Sequence, residues 1–111
     1  MKITTTPYKR CDVIIMDGRI DSNTVSKLKE AFNTVIESGR FKIVFDMSSV
    51  DFISSSGVWV LIDTQKNCKR WNRGELVIAN VNDKIEHSLD LAGLKHFFKI
   101  YSDVTSAVGS F

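Results

Sequence analysis

Three consecutive serines, Ser54, Ser55 and Ser56, stand between Ile53 and Gly57 and lead into Val58 and Trp59. The other side chains with chemical potential are His87 and His96, Cys11 and Cys68, and the aspartates Asp21 and Asp46 near the ends of apolar runs. A hydrolase-type serine nucleophile sits in GxSxG and needs a histidine base oriented by an acid. Here the glycine follows the serines with none before them, and neither histidine lies in a pattern that supplies such a base. The histidines also lack the HxxxH or HExxH spacing that brings two metal ligands onto one helix face. The two cysteines are far apart and form no CxxC pair, which suggests neither a zinc ribbon nor a disulfide framework. No GxxxxGK[ST] run exists to cradle a nucleotide phosphate. The sequence therefore assigns no catalytic residue, no metal ligand and no cofactor.

What remains for the serines is set by the elements around them. The chain has 111 residues, 43% of them hydrophobic and 25% charged, the size of one compact α/β unit covering residues 1–111. Its start lacks the apolar stretch of a signal peptide, and no run approaches the roughly 18 apolar residues of a membrane span, so a cytoplasmic protein without membrane attachment is expected. With 15 basic against 13 acidic side chains the net charge is +2, which argues against a nucleic-acid binder.

Residues 2–10 and 11–20, rich in Thr, Val and Ile, predict two strands, and Asp17-Gly18 and Asp21 mark turns. Val25, Leu28, Phe32, Val35 and Ile36 recur at the three-four spacing of an amphipathic helix over Ser22 to Ser38, with Gly39 as its C-cap. FKIVFDMSSV predicts a buried strand ending near Asp46. Val58 to about Trp71 predicts a second helix with Val58, Leu61, Ile62 and Cys68 on its core face. The strand ELVIAN, a helix through KIEHSLDLAGL, the strand HFFKIY and a short helix from Ser102 complete the chain. Alternation of this kind predicts a mixed sheet of four to five strands, largely parallel, packed with about four helices. The serines fall at a strand-to-helix junction, where such folds gather their sites.

At that junction a serine is an excellent N-cap, because its hydroxyl accepts a hydrogen bond from an amide that has no partner within the helix. One cap uses one serine, and three are present. A phosphate on Ser55 or Ser56 would meet the free amides and positive dipole of the first turn. Adding about 1.5 to 2 negative charges there would change any docking surface built around it.

These residues resemble the STAS domains, and within them the stand-alone bacterial anti-sigma factor antagonists. The carrying segment is VFDMSSVDFISSSGVWVLI; GRIDSNTVSKLKEAF is similar to the family's Gly-x-Ile/Leu-Asp and first helix, and SLDLAGLKHFFKIYSDVTSAV to its carboxyl-terminal pattern. The resemblance implies a non-enzymatic protein that, unphosphorylated, binds an anti-sigma factor that is also a serine kinase and so releases a sigma factor or related output. Phosphorylation by that kinase ends the binding, and a serine phosphatase resets it. The resemblance places the phosphorylated serine on Ser56, with Ser55 as the alternative. The family's acidic residue at the end of the second strand falls on Asp21, and Asp21, Ser54, Ser55, Gly57 and Trp59 are expected to form the partner-binding surface, in a monomer or weak dimer. The other expectation is a constitutive interaction or scaffold module that is never phosphorylated.

The chain departs from the family at two of these positions. Ser54 stands where members commonly have an acid, and Trp59 where they usually keep a small residue. Trp59 shares a helix face with Asp63, Lys66 and Arg70, the polar side. Asp46 invites comparison with a response-regulator phosphoacceptor, but Asp12 begins a strand where that site needs an acid pair after one, so a turn-stabilising role is expected for Asp46.

Overall fold

The computed structural model describes residues 2–111. β1 (Ile3–Pro7), β2 (Asp12–Ile20), β3 (Lys42–Ile53), β4 (Glu75–Ala79) and β5 (Ile100–Tyr101) form one sheet in the order β1-β2-β3-β4-β5. β1 runs antiparallel to β2, and every other pairing is parallel. The helices are α1 (Val25–Glu37), α2 (Ser55–Lys69), α3 (Asp83–Leu91) and α4 (Val104–Gly109), with a single 3-10 turn at Arg70–Asn72. The mixed five-stranded sheet and four helices are those the sequence predicts.

The period-two pattern of the strands creates two cores. Ile14 and Met16 of β2, Ile43, Phe45 and Met47 of β3, and Leu76 and Ile78 of β4 point to one face. There they meet Leu28, Phe32 and Val35 of α1, Leu61 and Cys68 of α2, and Ile85 and Leu89 of α3. Phe32 stands edge-on to Phe45 with ring centroids 5.4 Å apart. The alternate residues Val13, Val44, Val77 and Ala79 face the other way, with Cys11, and are covered by Ala107 of the short α4. At the amino ends of the strands Arg40 ties the sheet together, its Nε 2.7 Å from Asp12 Oδ1 and its Nη2 donating to the Tyr8 and Cys11 carbonyls.

Several boundaries differ from expectation, each for a tertiary reason. Asp17-Gly18 is not a turn: β2 continues through it, and the register against β3 shifts on either side, with Gly18 at φ +91°. β3 does not end near Asp46 but runs on to Ile53, because its pairing with β4 stops at Asp46↔Ala79 while its pairing with β2 continues to Ile20↔Ile53. α1 begins at Val25 rather than Ser22; Ser22 to Thr24 form the turn that enters it. α2 begins three residues earlier than predicted, at Ser55. Of HFFKIY only Ile100–Tyr101 joins the sheet, while residues 95–97 form a turn that buries Phe98. Val58 and Ile62 are only half-buried, and the most enclosed positions of α2 include Thr64 and Gln65.

Gln65 is the unexpected core residue. Its Nε2 donates to the Leu76 carbonyl at 2.9 Å and the Phe97 carbonyl at 3.0 Å, and its Oε1 accepts from the Leu76 amide at 2.7 Å. β5 reaches only Ile78 and Ala79, so the edge of β4 at Leu76 has no strand beside it. The Gln65 amide takes the place of that strand and locks α2 onto β4.

Candidate functional site

The site forms where β2 and β3 end side by side, at Ile20↔Ile53. The Ser54 amide donates to the Ile20 carbonyl at 2.8 Å, fixing the first residue after β3 to the last residue of β2. Ser54 is extended at φ −81°, ψ 170°, and is the N-cap of α2, with its Oγ accepting from the Gly57 amide at 3.2 Å. The Ser54 carbonyl accepts from the Val58 amide at 3.0 Å, the first bond of the helical ladder. The amides of Ser55 and Ser56 point out of the helix end with no carbonyl upstream to take them.

Ser55 and Ser56 are both exposed, and Ser56 Oγ lies 2.8 Å from Ser54 Oγ. Either hydroxyl can donate in that pair, and the cap survives both arrangements because Ser54 Oγ has lone pairs to spare. Ser54 thus caps the helix and holds the Ser56 hydroxyl as well. A carboxylate at position 54 would only accept; a hydroxyl there can also donate toward Ser56 Oγ or an ester formed on it. The first turn of α2 carries no acidic side chain, so nothing within it opposes an anion at the helix end.

Gly57 is buried, and its place is decided by packing. A Cβ on it would stand 2.6 Å from Ile20 Cγ2 and 2.8 Å from Ile53 Cγ1. The helix therefore sits directly on the ends of β2 and β3, and Gly57 seats the serines rather than offering a side chain of its own.

Asp21, the residue after β2, is partly buried in the turn that leads to α1. Its Oδ1 accepts from the Asn23 amide at 2.9 Å, and its Oδ2 lies 3.7 Å from Arg19 Nε. Arg19 in turn lies 4.2 Å over the Phe52 ring. Asp21 is thus held close to the Ser54 anchor point by chain connectivity through Ile20, and its carboxylate is already engaged locally. The Arg19–Phe52 pair beside it carried no signal in the sequence, because it needs the parallel register Arg19↔Phe52.

Trp59 is 61% exposed on the first two turns of α2, on the polar side of that helix. Asp46 lies buried in the middle of β3, its Oδ1 accepting from the Ser48 amide at 3.0 Å and from Asn80 Nδ2 at 3.1 Å. It braces the point where β4 leaves β3, in place of the expected turn. His87 and His96 are exposed on α3 and in the following turn. Both cysteines are buried, and burial pushes the Cys68 thiol up to about 11 and raises that of Cys11, with Asp12 adding to the latter.

The STAS domain model matches residues 2–107. The chain belongs to the STAS domain family. Among curated relatives it is 26% identical over 107 residues to the anti-sigma-F factor antagonist RsfB of Mycobacterium tuberculosis, covering 96% of this chain and 85% of that protein. Among solved structures, an anti-sigma factor antagonist from Mycobacterium paratuberculosis superposes with a TM-score of 0.87 at 22% identity, over 98% of this chain and 92% of that one. The Bacillus cell fate determinant SpoIIAA in its phosphorylated form gives 0.78 at 18% identity, over 98% of each chain. At these identities the structural likeness establishes the fold, that of a single α/β STAS domain. Among the described residues, no helix is long and apolar enough to cross a membrane.

Proposed function

We propose that this STAS domain is an anti-sigma factor antagonist: a cytoplasmic, non-enzymatic binding module switched by phosphorylation of Ser56. The observation that carries the reading is an exposed hydroxyl in the first turn of a capped helix, beside two free amides and without an acid in that turn. Unphosphorylated, the protein presents Ser55, Ser56 and Trp59, flanked by Asp21, to an anti-sigma factor that is also a serine kinase. The kinase removes the Ser56 proton as Oγ takes the γ-phosphoryl group of ATP and ADP leaves. The product carries two further charges and has lost the Ser56 O–H donor, so the Ser54 hydroxyl becomes the donor toward the new ester. The helix end stabilises this anion and leaves the fold intact, while the docking face gains negative charge. A serine phosphatase restores the hydroxyl by hydrolysis.

Incubation with the cognate kinase and ATP should add one phosphate by intact mass in the natural protein and none in Ser56→Ala. No phosphate, or an unchanged mass gain in the variant, overturns the Ser56 assignment and directs attention to Ser55. The second reading, a constitutive interaction module, is favoured by the neutral Ser54 beside Ser56. It predicts that Ser56→Asp leaves partner affinity unchanged, whereas the switch predicts weakening.

A further inference from the structure

A second surface lies along the other end of α2. Lys29 and Asn33 of α1 and Lys66, Asn67 and Arg70 at the carboxyl end of α2 line a groove of about 420 Å³ between the two helices. Lys29, Lys66 and Arg70 take part in none of the four ion pairs among the described residues. Cations in the last turn of a helix ordinarily offset its dipole, but Lys69 already lies there, 4.0 Å from Glu75. Asp63 is the groove's single carboxylate.

Trp71 follows the groove residue Arg70 directly in the chain and is 80% exposed, more than any other large apolar side chain of the protein among the described residues. Its backbone is left-handed at φ 56°, ψ 29°, and Asn72 follows at φ 56°. Two consecutive non-glycine residues in this region, one of them a tryptophan, need surrounding contacts to hold the backbone there. Arg73 holds them there: Nη2 donates to the Asn67 carbonyl at 2.7 Å, Nε to the Arg70 carbonyl at 3.1 Å, and its guanidinium covers Phe41 at 3.8 Å. Trp71 is thereby presented to solvent between Arg70 and Arg73, at 5.6 and 5.3 Å from its ring.

We infer that the α1–α2 groove with Trp71 is a docking surface for an acidic segment of a protein partner, carboxylates on Lys29, Lys66 and Arg70 and an apolar side chain on Trp71. Charge complementarity selects this occupant. A nucleic acid or anionic membrane would meet a chain of net charge only +2, whose serine end carries Asp17, Asp21, Asp51 and Asp83. The groove is short, about 15 Å from Val60 to Arg70 along the helix, which suits three turns of peptide rather than a polyanion. Its identification with the kinase partner rests on the reading proposed above; its chemistry does not.

The probe is a synthetic tryptophan-free peptide of about 15 residues, rich in Glu with leucines at i and i+4, long enough for the groove. Its Lys-for-Glu counterpart, single-stranded oligothymidylate and phosphatidylglycerol vesicles are added in parallel to 15N-labelled full-length protein. The expected result is saturable movement of the Lys66 to Arg70 amides and the Trp71 indole with the acidic peptide alone. Lys66→Glu/Arg70→Glu should weaken it about tenfold or more, as four units of reversed charge at an exposed site should. Lys66→Gln/Arg70→Gln serves where the Glu pair disturbs the helix end. No saturable shift, a shift that persists in both pairs, or binding of the oligonucleotide or vesicles in place of the peptide overturns the inference. Ser56→Ala should bind the peptide as the natural protein does, so failure here and failure of the serine switch are read separately.

Discussion

Gly57→Ala tests whether the site owes its shape to the close seat of α2 on the sheet. The new Cβ would meet Ile20 Cγ2 at 2.6 Å and Ile53 Cγ1 at 2.8 Å, both on branched side chains, and Ile20 is fully buried. Carbon atoms rest at about 3.5–4.0 Å, so the first turn must retreat by about 1 Å or the isoleucines must leave their rotamers. Overpacking of this kind costs about 1–3 kcal/mol. Exchanging glycine for alanine in a helix returns at most about 1 kcal/mol. The net expectation is a loss of about 1 kcal/mol or somewhat more, read as a lower urea midpoint at unchanged slope. Ile20→Ala removes the nearer of the two obstacles and leaves Ile53, so in that background Gly57→Ala should cost less, and the double-mutant cycle should show coupling. A stabilising single variant, or an identical effect in both backgrounds, would refute the packing argument.

The remaining predictions concern other parts of the same framework. Ser54→Ala should lose about 1 kcal/mol with the N-cap in denaturant titration, whereas Ser54→Asp, an equally good cap, should keep it. Gln65→Leu strands the Leu76 amide and carbonyl, each buried group costing about 1–3 kcal/mol, so a loss of about 2–6 kcal/mol is expected in denaturant titration. Both thiols should resist alkylation until the protein unfolds. Because burial raises Cys68 to about 11, its contribution to stability is complete below the ordinary thiol value near 9 and is lost as pH rises toward 11. Alkaline denaturation of Cys68→Ala should lack that slope. At the acid end, the Ser106 amide and then nearby serine hydroxyls hold the Asp103 carboxyl below its usual value. Its contribution is present above the unfolded value near 3.9 and disappears as pH falls through the lower folded one. Asp103→Asn keeps the cap of α4 but should flatten that limb of the stability curve.

The alternation of strands and helices was legible because period-two and three-four patterns report directly which side of each element is buried. Leu28, Phe32 and Val35 fell where the helical spacing put them, and Ile14, Ile43 and Phe45 lie in the runs read as buried strands. The boundaries were harder. The pairing partner of β3 changes at Asp46, and nothing in the local composition of FKIVFDMSSV shows that β2 remains beside it afterwards. Gln65 was missed for a related reason: a glutamine on the core face of α2 is explained only by the missing strand next to Leu76. Trp71 reads in sequence as the end of a helix, and its exposure depends on Arg73 reaching back to Asn67 and Arg70.

By itself the sequence determined that the serines stand at a strand-to-helix junction, that one can cap the helix, and that no histidine pattern supports a nucleophile. These follow from residue type and spacing, which act over a few residues. Tertiary structure alone decided how the three serines divide the work: Ser54 caps and touches Ser56, Gly57 is pressed onto Ile20 and Ile53, and Ser55 and Ser56 face solvent. That division needs the parallel register of β2 and β3, which brings Ile20 and Ile53 side by side although the residues between them include a whole helix.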